Sequence, residues 1–379
     1  MSSLIRDLAA ATPEMLEAFG DETLVRAALA FEGALARAQA AEGLITAAEA
    51  EAVARACAEP VDLAELAAAA AHAGTLAIPI ADRLRRTAPM AHFGATSQDL
   101  ADTALLLQCR AGVFLISTHM RRLTAALAQL AERHAAAPML GRTLLQPALP
   151  ITFGLKAANW LLLVDGAARR LHREVDEAFV LQLGGAAGTL AGMKGKGAAV
   201  AARMAAELGL KAGPTPWQGR RDGLAGLASA LAILAGALGK IARDVSLLAQ
   251  GEVAEAFEPR AEGRGGSSAM AHKRNPTGCQ VVLSAAIRAP HLAATIVSAL
   301  PQEHERGLGG WQAEAPVLAE LFGMTHGALA ALVPVIEGLD VDTTRMAANL
   351  AAAGVGDDFG EAEQITARAL AAWRDRENG

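Results

Sequence analysis

The chain has 379 residues, with 34 Lys plus Arg against 40 Asp plus Glu, a formal charge of −6. An acidic average excludes a polybasic protein of nucleic acid or membrane surfaces, so neither partner is expected; only a local patch would invert the field. Hydrophobic residues make up 53% and charged residues 20%, enough for a large core, while aromatics are 3% and Tyr is absent. Such an Ala- and Leu-rich composition favours helix packed on helix over a β-sandwich.

Residues 21–59 read as helices broken near Gly43 and stopped by Pro60, with a short helix over 63–72 and a turn-rich connection over 74–94. Apolar residues then recur at three- and four-residue spacing over 99–134, up to Pro138. A loop is expected over 140–150, then a second long helix over 151–182, closed by LGGAAGT at 183–189. The stretch 222–257 has no proline and would extend roughly 50 Å as one helix. Beyond the glycine-rich EGRGGSS at 262–268, helical patterns resume over 279–306 and 316–339. No sheet and no repeat is read.

Helices this long need neighbours of equal length, which predicts an all-α, long-helix bundle. The expected division is an N-terminal helical domain over 1–98, a central bundle over 99–339 and a short C-terminal helical remnant over 340–379. The N-terminus shows no signal-peptide pattern, and Cys57, Cys109 and Cys279 are odd in number and unpaired at zinc spacing. A reduced cytoplasm is the default. The apolar stretch 223–239 falls just short of a bilayer span and reads as a buried bundle helix.

Two familiar signals fail. The glycines of 184–197 follow no strand, and His304-Glu305 lacks a second histidine four residues on. No metal and no cofactor is expected. The segment GGSSAMAHKRNPTG, 265–278, is different: hydroxyls, cations and an amide follow a glycine-rich run. Its bland reading is a solvated basic loop between helices.

GSSAMAHKRNP resembles the signature of the fumarase/aspartase superfamily, with Ala271 where proline is usual. HFGATSQDLADTA at 92–104 and GRTLLQPALP at 141–150 agree with that superfamily's first two active-site regions in order and spacing. Within it, GATSQD (94–99), EVAEAFEP (252–259) and QEHERGLGGWQAE (302–314) are similar to the 3-carboxy-cis,cis-muconate cycloisomerases. The resemblance implies a homotetramer whose central bundle is shared, each active site drawing on three subunits. It also implies a tricarboxylate substrate closed to a lactone in the protocatechuate branch of the β-ketoadipate pathway.

Carried over residue by residue, the resemblance makes Ser267 the carrier of the carbon-bound proton, with Lys273 and Asn275 holding an aci-carboxylate intermediate. His92, Thr96, Ser97, Gln98, Arg142, Thr143, Gln146 and Arg306 would bind the other carboxylates. Arg264, His272, Lys273 and Arg274 would supply local positive charge. Thr96 and Ser97 also suit helix capping, Asp99 and Asp102 suit charge stabilisation of a helix N-terminus, and Arg142 and Arg306 suit surface ion pairs. The superfamily's lyases usually place a histidine where this chain has Leu144. Expelling a strongly basic amine needs a proton donor, whereas a carboxylate, with a pKa near ~4, needs almost none. Leu144 therefore favours a cycloisomerase over a C–N lyase releasing fumarate. A catalytically silent homologue and a relative acting on another polycarboxylate are the remaining alternatives.

Overall fold

The computed structural model describes residues 4–263, 265–266, 270 and 273–377. The N-terminal part contains α1 (Pro13–Ala18), α2 (Asp21–Ala41), α3 (Ala47–Ala58), α4 (Leu63–Ala73) and α5 (Ala77–Arg85). Helix α5 lies inside the connection read as turns; Pro79 is tolerated there because first-turn N–H groups have no intrahelical acceptor. The long α6 (Ser97–Arg133) leads into a hairpin of β1 (Pro138–Thr143) and β2 (Gln146–Thr152), followed by α7 (Phe153–Ala178) and α8 (Gly197–Leu208).

Helix α9 (Asp222–Leu248) stops short of the expected end, because the chain turns through Gly251 and a left-handed Ala254, φ 51°, and Glu255 N–H returns to the Leu248 carbonyl. Then follow β3 (Ala256–Phe257), α10 (Thr277–Ser298), α11 (Gly310–Glu337), β4 (Asp340–Val341), α12 (Thr343–Ala353) and α13 (Ala362–Glu377). The last segment holds the two helices α12 and α13, and α13 lies against α7.

Helix α9 packs on α7, α10 and α11, and α6 packs on α7 and α11. Leu106, Ile116, Leu123, Leu161, Leu231, Leu238, Ile241, Leu321 and Leu332 share the resulting core. Each leucine fully buried in this way stabilises by about 1.5–3 kcal/mol. Among the described residues, four helices, α6, α9, α10 and α11, are long and apolar enough to cross a membrane, yet α9 and α11 bury most of that apolar surface in the bundle. A second core joins α2, α3 and α5 to the start of α6 and to 181–208, through Phe31, Leu35, Val53, Ile80, Leu100, Met193 and Val200.

The hairpin departs from the expected loop. Antiparallel pairing runs from Pro138↔Thr152 to Thr143↔Gln146 with an irregularity between Leu140 and Arg142. A Cβ at Gly141 would stand 2.5 Å from the Leu149 carbonyl oxygen, so only glycine allows the strands this approach. The two turn residues, Leu144 and Leu145, both have positive φ, 50° and 64°. Asn-Gly is the usual choice at such a turn, and leucines there are strained.

Candidate active site

The helix starts of α6, α9 and α11 meet at one end of the bundle. Asp99, in the first turn of α6, is fully buried and accepts four N–H bonds at 2.9–3.0 Å: Thr96 N–H, Gly184 N–H, Gly185 N–H and Gln182 Nε2. Burial raises its carboxyl pKa and these bonds oppose the rise. Asp99 thereby caps α6 and also ties it to the glycine-rich turn. Onto that frame Arg306 donates to Thr96 Oγ1 at 2.7 Å and to the Ala186 carbonyl at 2.6 Å. Ser97 is half-buried beside Thr96, while Gln98 is fully buried and donates to the Gln218 carbonyl at 2.9 Å.

Behind this corner Arg221 is completely buried. It donates to Asp102 through two bonds, 2.7 and 2.8 Å, and to both oxygens of Glu314, and its guanidinium stacks on Trp217 at 4.7 Å. One cation therefore locks α6, α9 and α11 together. Burial disfavours the charge of Arg221, but Asp102 and Glu314 outweigh that and hold its pKa above the ordinary value. His92 lies in the chain segment that leads into α6, four residues before Thr96, and its ring Nδ1 lies 2.6 Å from Glu32 Oε1.

The other expected residues lie at the opposite end of α9. Arg142, at the hairpin, makes two bonds of 2.9 and 2.7 Å to the fully buried Glu255, which also accepts from Asn349 Nδ2 at 2.7 Å. Thr143 and Gln146 are exposed at the hairpin tip. Lys273 is exposed, and Asn275 N–H donates to the Gly265 carbonyl at 2.8 Å. Both line a cavity of about 210 Å³ with Glu258, Pro259, Gly265 and Gly266. Glu258 accepts the N–H groups of Gly278 and Cys279 and so caps α10. Arg274 lines the same cavity, where it bonds Asp340 and the Glu258 carbonyl and lies over the Phe257 ring at 4.7 Å. Ser267, Arg264 and His272 lie outside the described residues.

Helix α9 has 27 residues, so its two ends are roughly 40 Å apart. Within one chain the structure brings His92, Thr96, Ser97 and Arg306 together at one end. Arg142, Lys273 and Asn275 are held at the other. Glu32, Asp99, Arg221 and Glu314 were not read from sequence as site-building residues. Glu32 had a signal: with Val25, Ala28, Leu35 and Gln39 it falls on one buried stripe of α2, where a carboxylate needs a partner.

The family model described as a lyase matches residues 7–290, and the chain belongs to this family, that of the fumarase/aspartase enzymes. It is 49% identical over 345 residues to 3-carboxy-cis,cis-muconate cycloisomerase of Bradyrhizobium diazoefficiens, covering 89% of this chain and 76% of the relative. The crystal structure of the 3-carboxy-cis,cis-muconate lactonizing enzyme of Pseudomonas putida superposes with a TM-score of 0.90 at 35% identity, over 98% of this chain and 99% of the other. A nitrosuccinate lyase of Streptomyces davaonensis is 41% identical, over 92% of this chain and 77% of its own length.

Proposed function

We infer that this chain is a cycloisomerase that converts 3-carboxy-cis,cis-muconate to 4-carboxymuconolactone, in the protocatechuate branch of the β-ketoadipate pathway and in the cytoplasm. One substrate carboxylate attacks the conjugated double bond and closes a five-membered lactone, while the carbon beside another carboxylate gains a proton. Tethering the nucleophile removes most of the entropic cost of attack. Ser267 delivers the proton, and Lys273 and Asn275 stabilise the aci-carboxylate that precedes it. Thr96, Ser97 and Arg306 bind the remaining negative charge; Gln98 supports them from the core.

The observation that carries this reading is at the hairpin. Where an elimination of amine would need a proton donor, the chain presents Leu144, 96% exposed at the tip. Its exposure, with Leu145 at 76% and Leu149 at 72%, also supports assembly: apolar side chains on a strained turn are stabilised by a neighbouring copy. The separation of Lys273 from Arg306 by the length of α9 supports the same arrangement, a homotetramer in which copies supply the two halves of each site.

Incubation with 3-carboxy-cis,cis-muconate in D2O tests the function. Loss of the diene absorbance and a lactone carrying one solvent deuterium are expected, and Ser267→Ala abolishes deuterium uptake. An unchanged diene would remove the assignment. A second reading, elimination of nitrite from nitrosuccinate, is favoured by the 41% identity to the Streptomyces enzyme. Nitrite is as weak a base as a carboxylate, so Leu144 does not separate the two. Release of fumarate and nitrite from nitrosuccinate, without lactone formation from the diene, would establish that reading instead.

A further inference from the structure

A carboxylate removed from water is destabilising unless donors match its oxygens. Glu32 is fully buried on the core face of α2, and both its oxygens are directed at one residue. Oε2 accepts the backbone N–H of His92 at 2.9 Å, and Oε1 lies 2.6 Å from the His92 ring Nδ1. One turn-pair further along the same face, Gln39 donates to the Phe93 carbonyl at 2.6 Å. These contacts hold His92 in a left-handed backbone conformation, φ 59°, that costs about 1–2 kcal/mol for a residue with a Cβ. Gly94 and Ala95 then lead directly to Thr96 at the corner that Arg306 closes.

A carboxylate oxygen only accepts hydrogen bonds, so its contact with Nδ1 favours a ring hydrogen there, and among the described residues Nε2 is the ring nitrogen left for a ligand. The neighbours of Glu32 on this stripe, Val25, Ala28 and Leu35, offer a carboxylate no hydrogen bond, so its two oxygens depend on His92. We propose that Glu32 is a positioning residue for the cycloisomerase site: accepting from Nδ1–H, it fixes the aim of His92, so that Nε2 meets a substrate carboxylate, the ring taking one proton from solvent as the substrate binds and donating it through Nε2–H. This rests on the reading of His92 as a substrate-binding residue. The same orienting logic operates where a carboxylate fixes a metal-binding or catalytic imidazole.

The test uses the full chain labelled with 15N-histidine, the variants Glu32→Gln, His92→Gln and their combination, and lactone-formation kinetics. In the parent protein the His92 15N spectrum shows Nδ1–H, and adding the unreactive propane-1,2,3-tricarboxylate shifts Nε2. Glu32→Gln removes the carboxylate that supports the doubly protonated ring of the bound state and lowers kcat/KM about 10- to 100-fold, with KM carrying most of the change. The combined variant is no worse than His92→Gln alone, because Glu32 acts through the ring. If His92→Gln keeps normal kcat/KM, the placement of His92 in the site fails and the proposal with it. If His92→Gln is impaired but Glu32→Gln is not, or their losses multiply, only the role of Glu32 falls. Should Glu32→Gln not fold, the parent spectrum alone decides: a free protein with its hydrogen on Nε2 and none on Nδ1, or no response to the tricarboxylate, overturns the proposal.

Discussion

Replacing Arg221 with Met leaves Asp102 and Glu314 as two buried carboxylates without their shared cation, at the junction of α6, α9 and α11. Removing one partner of a buried ion pair costs about 3–5 kcal/mol, because the remaining charge loses its compensation. Unfolding entropy of about 2.1 cal/mol/K per residue gives roughly 0.8 kcal/mol/K for this chain, so the expected drop in the thermal midpoint is about 4–6 °C. The loss also depends on pH. Burial holds both carboxyls above the ordinary range and Arg221 pulls both down; without it their folded-state values climb further. A carboxyl raised in the folded state binds more protons there than in the unfolded chain, so stability falls as pH rises through that window. The deficit, followed by circular dichroism, is therefore expected to be larger near about pH 8 than near about pH 5. A midpoint within about 1 °C of the parent, or a deficit that widens on acidification, would refute the role of the triad.

Lys273→Ala is expected to lose most turnover while keeping full helicity; near-normal lactone formation would remove Lys273 from the site. His326 is buried between Thr12 Oγ1, at 2.8 Å, and His119, and burial followed by His119 lowers its pKa to about 4. Its folded value lies below the unfolded value of about 6.5, so its contribution is present above that pH and is lost as pH falls toward about 4. His326→Gln should flatten the decline in urea midpoint over this window, and an unchanged slope would assign the decline to other groups. Exchanging Leu144-Leu145 for Asn-Gly relieves about 1–2 kcal/mol of turn strain per residue but removes the exposed apolar tip. Weaker association by sedimentation, with helicity intact, is expected; an unchanged oligomer would take the hairpin tip out of the interface.

The long helices were legible because period and length are local properties: 99–134, 151–182 and most of 222–257 correspond to α6, α7 and α9. The hairpin was not, since GRTLLQPALP contains two prolines and puts leucines where a tight turn favours Asn-Gly. Its pairing is set by the close approach at Gly141, which depends on both strands. Helix α8 was masked by the glycines before it, and α5 by Pro79, which falls in a first turn that accepts it. At the candidate site, the motif residues Thr96 and Arg306 were readable and do meet. Their supports were not: Asp99 and Arg221 join segments about a hundred residues apart, a relation that spacing along the chain does not carry. Arg274 was read as part of a cationic loop, and its ion pair with Asp340 depends on β4 crossing beside β3.

The most direct measurement mixes two inactive variants, Arg306→Ala and Lys273→Ala, unfolds and refolds them together, and assays lactone formation from 3-carboxy-cis,cis-muconate. In the proposed shared site, each variant alone lacks one half. Hybrid oligomers are expected to regain activity, because in the proposed assembly some sites combine an intact Thr96–Arg306 corner from one copy with an intact Lys273 loop from another. Hybrids that assemble and stay inactive would contradict a cycloisomerase site shared between subunits.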